Sequence, residues 1–270
     1  MNGLLAIDVG NTHTSLALWP AGASGRADPA PPSSPHHWQV ASAPSRTVDE
    51  LRLLVTQLLA SCGLAPGDVG ACVIGCVVPE LHGTVVAACR QLFGVAPLVV
   101  GPGVRSGLRI RAESPREVGA DRIANAVAAV ARFGSPVIVL DFSTAVTLDV
   151  IGNDGEYLGA IIAPGIDIAA AALARRTARL HRFDIAPPAK AIASDTESAV
   201  RSGLFFGHVG LIEGLVARLQ ADVGPAAVVA TGEAVWLPAV LAHTHVIDAY
   251  EPLLTLDGLR RIHARHTAGT

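Results

Sequence analysis

Lysine is nearly absent. Lys190 is the only one in 270 residues, and apart from the histidines every other basic residue is arginine. A glycine-rich loop ending in Gly-Lys-Ser/Thr therefore has no counterpart here, which excludes that class of nucleotide-binding protein. Schiff-base chemistry would have to use Lys190, which lies in the loop-like "APPAKAIAS", whereas a catalytic amine needs a desolvating pocket. Cysteine is scarce too. Cys62, Cys72, Cys76 and Cys89 form no CxxC pair and have no companion histidines at zinc-site spacing, so they read as buried free thiols. Apolar runs break at Gly, Pro or a charge before the roughly 18–20 residues that a spanning helix needs, and no leader-like start is visible. The expectation is a cytoplasmic protein without a membrane partner. The formal net charge of -3 gives no basic field for nucleic acid. There is no GxSxG elbow, no HExxH and no Cys/His pair at a recognisable spacing, which disfavours a hydrolase.

Half of the residues are hydrophobic, enough for a large core and for two domains. Gly3–Ile7 and Thr14–Trp19 read as a hairpin around a polar elbow, followed by a Pro-rich insertion at about 20–37. "VDELRLLVTQLLASCG" and "LHGTVVAACRQLFG" have helical spacing. "GACVIGCVVP" reads as a buried strand ending at Pro79, and "APLVV" as another. "GPGVRSG" resembles a dinucleotide fingerprint, but its spacing is GxGxxxG and a strand, "LRIRAESP", is expected after it, so it reads as a plain turn. A second half begins near Ser114. It has a helix containing "GADR", a strand–elbow–strand at "PVIVLDFSTAVTLDVI", a further strand at "YLGAIIAPG", a long helical region and a strand at "AAVVATGE". The tail "LTLDGLRRIHARH" reads as a surface helix. This alternation predicts a layered α/β fold.

The same device occurs twice. Asp8-Val9-Gly10-Asn11-Thr12 and Asp141-Phe142-Ser143-Thr144 each join two strands, as in a duplicated domain. Asp, Gly and Asn also make ordinary turns. A pair of such elbows can hold phosphates through backbone N–H groups and Asn or Thr side chains, with an aspartate near Mg²⁺. "ATGE", ending at Glu233, is a third strand-end turn suited to a nucleoside. "GADR" sets a carboxylate beside an anion-binding guanidinium.

"DVGNT", "VGADRIANAVAA", "YLGAIIAPGI", "SGLFFGHVGLIEGL" and "LTLDGL", in this order from Leu5 to about Ile262, resemble the type III pantothenate kinases of the acetate and sugar kinase/Hsp70/actin superfamily. The resemblance implies duplicated ribonuclease H-like (actin-like ATPase) domains with a central interdomain cleft, divided here as 1–114 and 115–270. It implies ATP-dependent phosphorylation of pantothenate to 4'-phosphopantothenate, the first step of coenzyme A biosynthesis, by a homodimer. Asp8, Val9, Gly10, Asn11, Thr12, His13, Thr14 and Ser15 would form the first nucleotide loop, with Thr144 in the second. Gly119, Ala120, Asp121, Arg122 and Thr196 would bind pantothenate, with Asp121 as general base. Asp141 would hold K⁺ or NH₄⁺, and Asp8 would hold Mg²⁺, directly or through water.

Four positions depart from the family pattern. Ser143, Ala160 and Glu233 stand where glycine is usual, and Ala112 stands where a tyrosine is common. On the sequence, these departures leave open a working kinase, a weak or inactive homologue with a regulatory role, or a kinase for another small hydroxy acid.

Overall fold

The computed structural model describes residues 3–20, 34–176 and 185–268. Most of the expected Pro-rich insertion lies outside them. The opening elbow joins antiparallel β1 (Gly3–Val9) and β2 (His13–Trp19), in register from Leu4↔Trp19 to Val9↔Thr14. A third strand, β3 (His36–Ala41), extends this meander. It was not expected, and it claims the histidines that had been assigned to the insertion. The helix α1 (Val48–Ala60) starts with a capping box between Thr47 and Glu50. Next come β4 (Val69–Cys76), parallel to β1, and α2 (Pro79–Phe93). Pro79 does not end the strand. It opens the helix, where its missing N–H and fixed φ fit the first turn.

The short β5 (Leu98–Val99) completes a five-stranded sheet in the order β3-β2-β1-β4-β5. The strand expected at "LRIRAESP" is replaced by irregular chain with a single bridge at Ile110. Its alternation is real, because Leu108 and Ile110 pack inward while Arg109 and Arg111 are exposed, but no neighbouring strand continues a ladder. The helix α3 (Ala120–Phe133) follows a short 3-10 turn at Pro115–Glu117.

The second sheet comprises β6 (Val137–Phe142), β7 (Ala145–Ile151), β8 (Tyr157–Pro164), β9 (Ala227–Gly232) and β10 (Ala249–Tyr250). Its order is β10-β9-β6-β7-β8. Both sheets thus have three antiparallel strands, with the first strand then flanked by two more that run parallel to it. Between these strands lie α4 (Ile166–Arg176), α5 (Thr196–Val223) and α6 (Leu237–Leu241). Among the described residues α5 alone is long and apolar enough to cross a membrane. Phe205, Val209, Ile212 and Val216 on it pack into the core against Ile138, Leu140, Leu148 and Val228. They give α5 one buried face against the sheet.

The last helix, α7 (Leu254–Ala268), is not a surface helix. Leu256, Leu259 and Ile262 are buried with Ala6, Ala17, Val73, Ile123 and Ala124. Its charges enter the interior as a cluster of one carboxylate and two guanidiniums. The Asp257 carboxylate receives Arg260 Nε and Nη2 on one oxygen, at 2.9 and 2.6 Å, and Arg261 Nε on the other, at 2.6 Å. Arg260 also lies 5.7 Å from the centre of the Trp19 ring, within cation–π range.

These packings divide the chain into one compact unit of residues 1–132 with 253–270 and another of residues 133–252. The boundary differs from the one expected at 114/115. α3 buries Ile123, Ala124 and Val127 against the first sheet, and the tail joins the same core.

Candidate functional site

In the first unit, Asp8 and Val9 are the last residues of β1, and the turn itself is Gly10–Thr12. The turn is closed by the Gly10 N–H on the His13 carbonyl at 3.0 Å. Asn11, Thr12 and His13 are exposed, while within β2 Thr14 is buried and Ser15 half-buried. Ser42, just past β3, braces the turn. Its hydroxyl donates to the Gly10 carbonyl at 2.6 Å and lies 2.9 Å from Thr14 Oγ1, and its N–H bonds the Thr12 carbonyl at 2.8 Å. Nothing in the sequence marked Ser42, because its partners lie about 30 residues away. The Asp8 side chain lies over Gly75 of β4, where a Cβ would sit 3.3 Å from Oδ1. That negative charge helps raise the Cys76 thiol pKa, although burial of the thiol is the larger cause.

The "GADR" segment belongs to the same unit. Gly119 precedes α3, Ala120 is buried, and Asp121 and Arg122 stand half-buried in its first turn. The Asp121 carboxylate folds back over Gly119, so a Cβ there would displace the carboxylate from this position. The same position is 3.4 Å from Val77, whose N–H bonds the Val9 carbonyl at 3.1 Å. Val77 thus joins the end of β1 to the residue before α3. Burial raises the Asp121 carboxyl pKa. The Arg122 N–H, donating to Oδ1 at 2.8 Å, and the Arg122 guanidinium pull it part of the way back. A carboxylate so placed is a better proton acceptor than an exposed one.

In the second unit, Asp141 pairs across β6 with Thr147 of β7 and Thr231 of β9, so all three side chains share one face. Thr231 donates to the Glu251 carbonyl at 2.8 Å, whereas the buried Thr147 hydroxyl has no hydrogen-bond partner among the described residues. The turn is Ser143–Thr144, both exposed. Gly165 packs against the Thr144 carbonyl, and Gly232, at φ +99°, packs against the backbone of Phe142. The Phe142 ring meets Trp236 edge-on at 5.6 Å, and Trp236 donates to Asp167 at 3.1 Å. Thr196 is exposed at the first position of α5, which is capped by Asp195.

The four departures can now be located. Ser143 turns its hydroxyl back, 3.5 Å from the Ala145 carbonyl that its N–H already bonds at 3.0 Å. Ala160 is exposed on edge strand β8, in a place that tolerates a methyl group. Glu233 follows Gly232, and its charge, after burial, helps raise the pKa of Tyr250, whose hydroxyl donates to the Gly232 carbonyl at 3.0 Å. Ala112 is half-buried in the irregular chain before α3. Lys190 is exposed in loop, as expected. Cys72 and Cys89 are buried, but Cys62 is exposed, against expectation.

No group of three or more His, Cys, Asp and Glu side chains suited to a metal occurs among the described residues. The oxygens present suit ions that take few ligands from protein side chains. Mg²⁺ bound with a nucleotide needs only one or two carboxylates beside phosphate and water, a demand Asp8 meets. A monovalent cation takes oxygen ligands, and Asp141 offers them beside the unbonded Thr147 hydroxyl.

The family model that describes type III pantothenate kinases matches residues 4–218. The chain is 46% identical over 269 residues to a type III pantothenate kinase 2 from Symbiobacterium thermophilum, covering 98% of this chain and 97% of that one. It is 43% identical over 265 residues to a type III pantothenate kinase from Moorella thermoacetica, covering 98% and 100%. Among solved structures, a conserved protein from Campylobacter jejuni assigned to the Baf family of transcriptional activators matches with a TM-score of 0.60 at 17% identity, covering 98% of this chain and 99% of that one. That likeness is one of fold alone.

Proposed function

Because this chain belongs to the type III pantothenate kinase family, it phosphorylates pantothenate at the expense of ATP, and we propose that Asp121 is the general base of the transfer. Family membership also relates its α/β fold, with two similar sheet-containing units, to the acetate and sugar kinases, Hsp70 and actin. The identical strand order of the two sheets supports the finer reading of both as duplicated ribonuclease H-like domains.

The observation that carries the assignment is the state of Asp121: half-buried, with its carboxyl pKa raised by burial, beside the strand end that carries Asp8 and Gly10. Phosphoryl transfer asks a protein mainly for positioning and charge stabilisation, plus a group to take the hydroxyl proton. Asp121 takes the proton from the primary alcohol of pantothenate. Arg122 pairs with the substrate carboxylate, and Gly119, Ala120 and Thr196 complete the acceptor contacts. The turn from Asp8 to Ser15 in the first unit and Thr144 in the second would each contribute to the nucleotide phosphates, and Asp8 would hold Mg²⁺. When bound, K⁺ or NH₄⁺ would be held by Asp141 and Thr147 and would supply positive charge to offset phosphate. The proposal further takes the enzyme to be a homodimer working in the cytoplasm.

Coupled ADP release tests this reading with purified protein, ATP, Mg²⁺ and pantothenate, with and without K⁺. The expected result is pantothenate-dependent ADP that falls when K⁺ is withheld. Asp121→Asn is expected to lose turnover while keeping its fold, and wild-type turnover in that variant removes Asp121 as the base. Thr147→Val is expected to blunt the K⁺ response, and an unchanged response removes Thr147 from the cation site.

A further inference from the structure

The helix that carries Asp121 is held by residues far along the chain. Asn125 lies one turn after Asp121 on the same side of α3 and is fully buried. Its Oδ1 accepts a hydrogen bond from Thr255 Oγ1 at 2.7 Å, across 130 residues of sequence. One turn further along α7, Gly258 rests on the Ala124 carbonyl so closely that a Cβ would overlap it. The neighbouring Leu259 reaches β4, where its Cδ2 is 3.2 Å from where a Gly75 Cβ would be, and Gly75 is the residue over which the Asp8 carboxylate lies. A single helix therefore touches both the segment carrying the proposed base and the strand beneath the first loop's aspartate.

We propose that Thr255 is a positioning residue for the transfer: its hydrogen bond to Asn125 fixes the roll of α3 and with it the aim of the Asp121 carboxylate. The proposal rests on Asp121 being the base. Beside that bond and the close approach of Gly258 to the Ala124 carbonyl, Ile123, Val127, Leu256, Leu259 and Ile262 share one apolar cluster. Apolar packing holds two helices together but tolerates small rotations, whereas a directional bond between two polar groups admits one arrangement. With side chains about 5–6 Å from a helix axis, a roll of about 10° carries a carboxylate roughly 1 Å. Displacement of that size costs on the order of 10²-fold in rate where reacting atoms must be aligned. The cost falls on proton transfer and leaves the binding of ATP alone.

The test uses the full chain with Thr255→Val, Thr255→Ser and Asp121→Asn, each followed by kcat, KM for ATP and for pantothenate, the pH dependence of kcat, and thermal unfolding. Valine keeps the shape of threonine and removes the donor. The expected result for Thr255→Val is a kcat lowered about 10- to 100-fold, a displaced acid limb of the pH profile, and an unchanged KM for ATP. Thr255→Ser is expected to return both kcat and the acid limb to near wild type. If Thr255→Val does not fold, Thr255→Ala carries the same expectation. A valine or alanine variant that loses thermal stability while keeping kcat and the acid limb overturns the proposal. If that happens while Asp121→Asn is inactive, the base assignment stands and only the positioning role falls. Wild-type turnover in Asp121→Asn removes both.

Discussion

At Asp121 the same burial that improves the base works against the fold. Its pKa is raised in the folded chain, so over the interval between the unfolded and folded values the folded state binds the additional proton. The contribution to stability is present at low pH and is lost as pH rises through the raised value. Asp121→Asn removes that opposition. Its melting temperature near neutral pH is expected to equal or exceed that of the wild type, while kcat falls by about 10²–10⁴-fold, the usual contribution of a positioned acid or base. In the wild type, kcat is expected to fall on the acid side through the raised Asp121 pKa, read from a pH profile at saturating substrates. Ser42 is a different kind of residue. Ser42→Ala leaves the Gly10 carbonyl and the Thr14 hydroxyl without their shared partner. It is expected to cost about 1 kcal/mol of stability and to raise KM for ATP more than KM for pantothenate. Asp8, Asp121 and Asp141 stand out as candidates in the sequence because each sits in a short motif of polar and small residues. Ser42, Asn125 and Thr255 do not, since each is one common polar residue whose meaning depends on a partner far away in the chain.

Among the elements, local signals succeeded where they were sufficient. Thr47 with Glu50 begins α1, and Gly94 in the left-handed conformation ends α2. Thr47→Ala is expected to lower stability by about 1 kcal/mol with kcat unchanged, measured by denaturant unfolding beside the ADP assay. Local signals failed where a neighbour decided the outcome. The two-residue β10 is a strand only because β9 lies beside it. The stretch at Leu108–Arg111 alternates like a strand but pairs only through one bridge at Ile110. α7 looked like a surface helix because it carries Asp257, Arg260 and Arg261, and the sequence displays those charges without showing that Asp257 bonds both arginines. The packing of α7 on α3 leads to an element-scale prediction. Gly258→Ala must push the two helices apart, with an expected loss of about 1–3 kcal/mol seen in thermal or denaturant unfolding.

For the whole molecule, the repeated strand order was anticipated by the repeated elbow, whereas the contact boundary was not. The sequence places "GADR" after the first five strands, and only packing shows that its helix completes the first sheet's core. The second unit, residues 133–252, is continuous in sequence, while the first is assembled from 1–132 and 253–270. Expressed alone, residues 133–252 are expected to unfold cooperatively, and residues 1–132 are expected to gain a cooperative transition only when a peptide of residues 253–270 is supplied. Circular dichroism on heating, with and without the peptide, checks both. The order of synthesis gives this division a consequence in the cell. A ribosome releases residues 133–252 before it releases α7, so the unit made second can fold while the unit begun first still waits for its closing helix. The proposed base is then translated about midway and seated at the end. A chain cut short before Leu254 would keep both elbows and "GADR" and would still lack the helix that packs against α3.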